Sequence, residues 1–296
     1  MTLPPVEGLA ERLRWAGWDC DLGDPEAFQA LDRGFGSDVY GIPGAVVLRL
    51  ARTASSHAGH AREQVLLPLL DGALPARVPA PVWSAPAGPD FPHGALALTW
   101  LAGATPAGPE PAPDPSDIGG FMAELHRVEP GALAVAGLPG PDAIDARRRA
   151  DAGLALRVAE DRWAPARVDA LATWLDRTLA VARSDQFEPV LRHGDLWWAN
   201  LRVQDGRLSG VVDWENAGVG DPAEDLATQM YFGAKPYSEI LAAYLAERPD
   251  DPGLERRACA LFALRELMGI RLCVEADDMV ELESELDALW RTVLSA

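Results

Sequence analysis

Three polar side chains around a predicted hairpin constrain this chain more than any other feature of its sequence. Asp195 and Asn200 lie in the stretch HGDLWWAN, and Asp213 follows the apolar run GVV. The β-prone residues between Asn200 and Asp213 are interrupted by the pair Asp205-Gly206, which is a strong signal for a two-residue hairpin turn. Because a hairpin reverses the chain, the pattern predicts that Asp213 lies close to Asn200.

These side chains have the chemistry that phosphoryl transfer requires. Mg²⁺ in such sites takes one or two carboxylates together with phosphate oxygens, and Asn200 and Asp213 can supply the protein oxygens. A further carboxylate, here Asp195, can accept a hydrogen bond from the attacking hydroxyl. Taken singly, each residue is more often part of a turn or a helix cap than a catalyst, so the prediction depends on their joint spacing.

The segment from His193 to Asp225 resembles the aminoglycoside phosphotransferase family, which is part of the larger protein-kinase-like group. In that family His-Gly-Asp is followed by Asn, by a metal-binding Asp, and by Gly-Asp-Pro with a further Asp, and each position is filled here. The local sequence Gly-Asp-Leu-Trp also resembles fructosamine kinases, whereas the continuation Gly-Asp-Pro-Ala-Glu-Asp fits the aminoglycoside group better.

The resemblance implies a role for each residue of this segment. Asp195 would be the catalytic base or the residue that orients the hydroxyl. Asn200 and Asp213 would bind Mg²⁺. Structural roles around the catalytic loop would fall to His193, Asp221 and Asp225.

The resemblance also implies the fold class, which is α+β with the two lobes of a protein kinase. Residues 1–101 would form a small β-rich nucleotide-binding lobe with one helix. Residues 102–296 would form a larger, mainly helical lobe for catalysis and substrate binding, with a hinge at about residues 98–103.

The N-terminal half has the pattern of a small sheet. Strands are predicted around Leu31, before Gly41, and over residues 46–50, 78–83 and 94–101. Gly34 and Gly36 mark a turn whose backbone N–H groups would approach triphosphate oxygens, although a plain hairpin turn has the same sequence pattern. At the hinge, the backbone of Thr99, Trp100 and Leu101 would receive the purine, and Trp100 is equally compatible with the core.

Arg49 lies inside the apolar strand of residues 46–50, where a cation is costly unless it is paired. The predicted partner is Glu63, on an amphipathic helix over residues 60–70. Such a pair would match the strand cation and helix carboxylate that position the α- and β-phosphates in kinases. The alternative is an exposed Arg49 on the solvent side of an edge strand.

The C-terminal half is predicted to be mainly helical after a connector over residues 104–116, whose prolines exclude a helix. Spacing and composition predict helices over residues 117–126, 142–159, 165–183, 224–232, 237–247, 253–275 and 279–294. The last of these carry many acidic residues, which form either a solvated face or the lining of a site for a cationic acceptor.

The formal net charge of −19 argues against nucleic-acid binding, which requires basic surface to neutralise phosphates. It is compatible with a cationic substrate, although acidic proteomes give the same charge. No apolar run approaches the ~18–20 residues of a membrane span, and residues 1–14 lack the apolar core of a signal peptide. The three cysteines have neither CxxC nor zinc-site spacing, so we expect a cytoplasmic protein without structural disulfides.

The sequence thus predicts a small-molecule kinase that uses Mg²⁺ to transfer the γ-phosphoryl group of ATP or GTP to a substrate hydroxyl. One alternative is a metabolite kinase for a sugar, amino alcohol or fructosamine-like compound, with no role in antibiotic resistance. Another is a non-catalytic nucleotide-binding protein, against which the intact Asp195, Asn200 and Asp213 argue. No feature of the sequence indicates the identity of the acceptor or the oligomeric state.

Overall fold

The computed structural model describes residues 8–34, 36–106, 108, 113–183, 187–248 and 251–295. Pro109 and Pro111 of the predicted connector lie outside these residues, as do residues 1–7 of the N-terminal segment. The described residues form an antiparallel sheet near the N-terminus and a mainly helical remainder, so the predicted α+β class is confirmed.

The N-terminal part contains a five-stranded antiparallel sheet with the spatial order β1-β2-β3-β5-β4. Its strands are β1 (Gln29–Arg33), β2 (Ser37–Ile42), β3 (Val46–Ala51), β4 (Pro81–Ala85) and β5 (Ala95–Thr99). Arg49 lies opposite Val39 of β2 and Leu96 of β5, so it belongs to the central strand. The alternative of an exposed arginine on an edge strand is therefore wrong.

The two faces of the sheet pack against different helices, because side chains alternate along a strand. Leu48 and Ala97 belong to the core under α1 (Leu9–Trp15), a short helix that the sequence did not predict. Leu96 and Leu98 belong to the core shared with α2 (Ala54–Leu70). Since Arg49 is paired with Leu96, it lies on the α2 side of the sheet, facing the helix that carries Glu63.

Helix α2 begins six residues before the predicted start, at Ala54 rather than at His60. Thr53 caps it, because the Thr53 hydroxyl accepts from the Ser56 N–H at 3.1 Å. The first turns of α2 contain Ser, His and Gly in place of a regular apolar stripe. The helical spacing of apolar residues therefore indicates only the part of α2 that follows these turns.

The rest of the described chain consists of helices with two small strand pairs. The helices are α3 (Pro115–Leu125), α4 (Pro141–Glu160), α5 (Pro165–Ala182), α6 (Ala223–Gln229), α7 (Ala234–Glu247), α8 (Leu254–Ala263), α9 (Glu266–Glu275) and α10 (Met279–Ser295). The pairs join β6 (Val190–Arg192) with β9 (Gly218–Gly220), and β7 (Leu201–Gln204) with β8 (Arg207–Val211). Among the described helices, none has the length and apolar character needed to span a membrane.

The single helix predicted over residues 253–275 is two helices, with a break at Leu264 and Arg265. The Leu264 N–H donates to the carbonyls of Ala260 and Leu261, which closes α8 with a tight last turn. Before the break, α8 packs on α5 and α6, whereas after it α9 packs on α4 and α10. Neither Gly nor Pro marks the break, so tertiary packing produces a bend that the local sequence does not show.

Candidate active site

The β7–β8 hairpin returns the chain to Asn200, as the sequence predicts. The Val212 N–H donates to the Asn200 carbonyl at 2.9 Å, and Asp205 in the turn has a φ of 51°. The Asn200 side-chain Nδ2 donates to the Asp195 carbonyl at 2.7 Å and to its carboxylate Oδ2 at 3.1 Å. The structure therefore brings Asp195, Asn200 and the residue before Asp213 together.

Asp213 has a φ of 66°, a left-handed conformation that side chains other than glycine rarely adopt. Hydrogen bonds on both sides maintain it. The Trp214 N–H donates to Glu63 Oε1 at 2.8 Å, and His193 Nε2 donates to the Val212 carbonyl at 3.0 Å. The surroundings thus maintain a backbone strain of about 1–3 kcal/mol at the residue predicted to bind metal.

Arg49 is the centre of a charged cluster between the sheet and this loop. Its Nη1 donates to both oxygens of Glu63, at 3.0 and 2.9 Å. Its Nη2 donates to Asp213 Oδ1 at 2.9 Å and to Glu215 Oε2 at 2.6 Å. Burial alone would lower the pKa of Arg49, but the three carboxylates outweigh it and raise the pKa, so the guanidinium stays charged.

Glu215 is a member of this cluster that the sequence did not reveal, and it also fixes the glycine turn. A Cβ at Gly36 would lie 2.8 Å from Glu215 Oε1 and 2.9 Å from the Ser56 hydroxyl oxygen. Glycine at this position therefore permits a close approach of the backbone to the charged cluster. Gly34, whose carbonyl accepts from Arg52 Nη1 at 2.8 Å, lies at the start of the same turn.

A buried hydrogen-bond network holds the backbone of His193 and Gly194, which lie in the predicted catalytic loop just before Asp195. The Asp225 carboxylate accepts from the N–H of His193 at 2.8 Å, from the N–H of Gly194 at 2.7 Å, and from His126 Nε2 at 3.2 Å. Gly194 has a φ of 83°, and a Cβ there would lie 2.4 Å from the Asn216 carbonyl oxygen. Both conditions require glycine in the His-Gly-Asp segment.

Asp221 holds a second buried contact, at the start of α6. Its two oxygens accept from Arg257 Nε at 2.7 Å and Arg257 Nη2 at 3.0 Å, and its Oδ1 accepts from the Ala223 N–H at 2.9 Å. Arg257 is fully buried and also contacts Asp251 at 2.6 Å. Asp221 thus connects the end of β9 to α8. Its hydrogen-bond partners Arg257 and Ala223 are not members of the Arg49 cluster.

The three predicted hinge residues differ in what their backbone can offer. The Thr99 N–H donates to the Ala80 carbonyl at 2.9 Å, and the Trp100 N–H donates to the Ala45 carbonyl at 3.0 Å. For the Leu101 N–H, the described residues supply no hydrogen-bond partner. Of these three donors, the N–H of Leu101 is therefore the one left for a base.

Asp195 lies at the edge of a cavity of about 240 Å³ between the catalytic loop, α4 and the α8–α9 region. Burial and the nearby charge of Asp213 raise the pKa of Asp195 to about 7, and the hydrogen bond from Asn200 opposes this shift only partly. Arg49 is absent from the cavity lining, whereas Glu215 lines the cavity together with Asp195, so Glu215 connects the Arg49 cluster with this space.

Asn200 and Asp213 fit a cation that arrives with phosphates. In the described part of the chain, no three His, Cys, Asp or Glu side chains form a group that could hold a metal ion alone. Mg²⁺ in phosphotransferase sites does not need such a group, because it keeps waters and binds substrate phosphates. The Asp213 side chain is 37% exposed, so its carboxylate is accessible to such a cation.

Solved structures of phosphotransferases share this fold. The gentamicin complex of APH(2″)-IIa superposes with a TM-score of 0.76 at 20% identity, over 100% of this chain and 98% of that chain. The apoenzyme of macrolide 2′-phosphotransferase MphH from Brachybacterium faecium has a TM-score of 0.69 at 25% identity, over 96% of this chain and 98% of that chain.

A curated relative matches a short segment. Viomycin phosphotransferase of Streptomyces vinaceus is 50% identical over 58 residues, which is 18% of this chain and 19% of that protein. The alignment thus spans about a fifth of the relative's length. A family model described as the phosphotransferase enzyme family matches residues 28–260, which include the sheet, the Arg49 cluster and the catalytic loop. The chain therefore belongs to the phosphotransferase enzyme family.

Proposed function

We propose that this protein transfers the γ-phosphoryl group of ATP or GTP to a hydroxyl of a small molecule. The observation that carries the proposal is the Arg49 cluster, in which Glu63 and Asp213 both contact one buried guanidinium at 2.9 Å. Kinases use a cation paired with a helix carboxylate and placed beside a metal-binding Asp to hold a triphosphate. The family membership and the shared fold support the same reaction.

In this proposal, residues 1–101 bind the nucleotide, and residues 102–296 supply the catalytic loop and the acceptor site. The purine would lie against the hinge, with the Leu101 N–H as a donor and the backbone of Thr99 and Trp100 beside it. The turn containing Gly34 and Gly36 would cover the phosphates.

The reaction needs no strong base, because positioning and electrostatics provide most of the acceleration in phosphoryl transfer. Arg49 would keep Glu63 and exchange Asp213 and Glu215 for phosphate oxygens. Asp213 and Asn200 would hold Mg²⁺, which supplies charge that offsets the phosphate oxygens during transfer.

On the acceptor side, Asp195 would accept a hydrogen bond from the attacking hydroxyl and then its proton. His193, Asp221 and Asp225 would keep the loop in place. The Asn200 Nδ2, which donates to Asp195 at 3.1 Å, would fix the orientation of the carboxylate.

Free thiols favour a reaction in the cytoplasm, where disulfides are rare. Cys20, Cys259 and Cys273 are all free cysteines. We keep the cytoplasmic location as part of the proposal.

The acceptor is proposed only as a small hydroxylated compound. Two of the related structures are complexes with kanamycin and with gentamicin. Two other relatives are named as a viomycin phosphotransferase and a macrolide phosphotransferase. The compounds in these names differ in structure, so the relatives do not single out one acceptor, and a metabolite acceptor stays an alternative. The net charge of −19 is compatible with a cationic acceptor.

A thermal-shift series with Mg-ATP and Mg-GTP, followed by a radiolabelled phosphate-transfer screen over antibiotics, sugars and amino alcohols, tests the proposal. We expect stabilisation by at least one nucleotide and transfer to at least one hydroxylated compound. Nucleotide binding without transfer to any acceptor would favour the alternative of a non-catalytic nucleotide-binding protein. The absence of any nucleotide binding would refute the proposal.

Replacing Asp213 with Asn is expected to weaken Mg-nucleotide binding about tenfold or more, because one anionic ligand of the cation is lost. Asn tolerates the left-handed conformation, so the backbone at φ 66° is retained. Titration calorimetry with a non-hydrolysable nucleotide, with and without Mg²⁺, measures the change. Asp205→Asn at the turn of the same hairpin, with φ 51°, is the matched control and should bind normally. Unchanged Mg-nucleotide affinity in Asp213→Asn would argue against the metal role.

Phosphate transfer is expected to increase with pH and to level off above about pH 7, because only the ionised Asp195 can take up the hydroxyl proton and its pKa is raised to about 7. A Mg²⁺ ion at Asp213 favours the ionised form, so more Mg²⁺ should move the acid limb to lower pH. The measurement is kcat/KM against pH at two Mg²⁺ concentrations. A profile that is flat through neutral and acidic pH would contradict the role of Asp195.

A further inference from the structure

The cavity beside Asp195 has a charge balance opposite to that of the whole chain. Six arginines and four acidic residues line it, although the formal net charge of the protein is −19. The arginines are Arg62, Arg147, Arg148, Arg192, Arg265 and Arg271, and the acidic residues are Asp151, Asp195, Glu215 and Glu224. A ligand in this cavity therefore meets an excess of positive charge.

Four of these arginines have a carboxylate partner within the protein. Arg148 and Arg192 contact Glu224, each at 3.1 Å, Arg271 contacts Asp151 at 3.2 Å, and Arg265 contacts Glu266 at 2.8 Å. Within the described residues, neither Arg62 nor Arg147 has a carboxylate oxygen within 4.0 Å. Arg62 and Arg147 are thus the two lining guanidinium groups that no carboxylate of the described residues contacts directly.

Arg62 and Arg147 face the same space from different helices. Arg62 on α2 is half-buried, and Arg147 on α4 is exposed. Both line the main cavity and a small adjoining pocket of about 30 Å³. Both arginines line the same small pocket, and burial together with the nearby charge of Arg147 lowers the pKa of Arg62, although Glu215 and Glu63 oppose this shift.

The hydrogen bonds of Arg62 leave part of its guanidinium unused. Its Nη2 donates to the Glu215 main-chain carbonyl at 3.2 Å, while its buried Nε finds no partner among the described residues. Glu215 separates this arginine from Arg49, because Arg49 contacts the Glu215 side chain and Arg62 contacts its main chain. Arg62 lines the cavity beside Asp195, which Arg49 does not.

We propose that the phosphate acceptor is a hydroxylated compound with an oxyanionic group, a carboxylate or a phosphate, which binds between Arg62 and Arg147 while the hydroxyl lies at Asp195. An oxyanion relieves the repulsion between the two arginines, and guanidinium groups bind carboxylate and phosphate through paired N–H donors. A polycationic acceptor would add positive charge to a cavity that already has an excess.

Most of the remaining wall of the cavity is apolar, which fits the carbon skeleton of such a compound. Tyr231, Phe262 and Met268 contribute to this wall. The proposal rests on the proposed function, since it assumes that the cavity beside Asp195 holds the acceptor.

The test compares ligands that share a sugar skeleton and differ in charge. Gluconate and glucose 6-phosphate carry an oxyanion, glucose is neutral, and glucosamine is cationic. Affinities are measured by titration calorimetry with a non-hydrolysable Mg-nucleotide present and absent. We expect at least one anionic sugar to bind about tenfold or more tightly than glucosamine, and the two anionic compounds distinguish a carboxylate site from a phosphate site.

Arg147→Gln is the diagnostic variant, because an exposed residue can be replaced without disturbing the fold. It should weaken binding of the preferred anionic sugar about tenfold and leave nucleotide affinity unchanged. Arg149→Gln, on the same helix and paired with Asp145 at 2.5 Å, is the matched control and should bind both ligands normally. Arg62→Gln should repeat the loss from the second helix.

Three outcomes would overturn the inference: tighter binding of glucosamine than of both anionic sugars, no effect of Arg147→Gln, or an equal loss of nucleotide affinity in that variant. The last would assign Arg147 to the triphosphate. Because these titrations need no phosphate transfer, they separate this inference from the proposed reaction. Binding of an anionic sugar through Arg147 without any transfer would refute the reaction and retain the oxyanion site.

Discussion

Replacing Asp195 with Ala is expected to reduce turnover by about 10²- to 10⁴-fold while leaving Mg-nucleotide affinity almost unchanged. Asp195 contacts Asn200 at 3.1 Å and lines the acceptor cavity, whereas Arg49 contacts Glu63, Asp213 and Glu215. Removing the Asp195 carboxylate therefore affects the attacking hydroxyl and not the predicted triphosphate site. In this variant the Asn200 Nδ2 still donates to the main-chain carbonyl of residue 195, at 2.7 Å in the wild type. One of the two hydrogen bonds from Asn200 to this residue is therefore kept.

The measurement is kcat for the acceptor found in the transfer screen, together with calorimetric nucleotide affinity. Asp195→Asn is the informative companion variant, because it keeps the size of the side chain and removes only its charge. If Asp195 acts through its negative charge, both variants lose turnover to a similar degree. Near-normal turnover in either variant would exclude Asp195 as the residue that accepts the hydroxyl hydrogen bond.

The parts of the site that were predictable from sequence are those that local chemistry determines. Asp205-Gly206 has few conformations other than a tight hairpin turn, and this turn returns the chain to Asn200. The pairing of Arg49 with Glu63 was predictable for a different reason. A cation on a central apolar strand must have a partner, and the alternation of side chains places Arg49 on the face that α2 covers.

Other parts depend on contacts between distant segments, for which one sequence has no signal. Glu215 matters because Gly36 approaches its carboxylate closely, and these residues come from opposite halves of the chain. The excess of arginines over acidic residues in the proposed acceptor cavity has the same origin. Arg62 and Arg147 lie on separate helices, and neither the total charge nor the spacing along the chain shows that they are neighbours.

Replacing Asp225 with Asn is expected to reduce the free energy of unfolding by about 3–5 kcal/mol at neutral pH, as expected when one member of a buried ionic network is removed. The Asp225 carboxylate accepts from the N–H groups of His193 and Gly194 and from His126 Nε2, and it is fully buried. Asn can offer one oxygen, so its own amide hydrogens would oppose at least one of these donors. Turnover should fall as well, because the loop that carries Asp195 loses its anchor.

Urea unfolding of the wild type and the variant gives the difference in free energy, read from the midpoint at constant slope. Asp176→Asn is the matched control, since Asp176 is an exposed aspartate on α5 and loses the same charge. We expect a change of less than about 0.5 kcal/mol for the control. The comparison separates the effect of the network from the effect of a smaller net charge.

The pH dependence gives the destabilisation a specific signature. Burial alone would raise the pKa of Asp225, but the hydrogen bonds from His126 and from the Gly194 N–H, with the electrostatic influence of the two neighbouring histidines, lower the pKa below the usual value. The folded protein therefore binds fewer protons at this site than the unfolded chain, whose aspartates titrate near about 3.9. The stabilisation is fully present above that value and is lost as the pH falls through the lower pKa of the folded state. The difference in free energy of unfolding between wild type and Asp225→Asn should therefore shrink below about pH 4. A difference that stays constant down to the acid transition would show that the variant is destabilised by packing and not by loss of the buried charge.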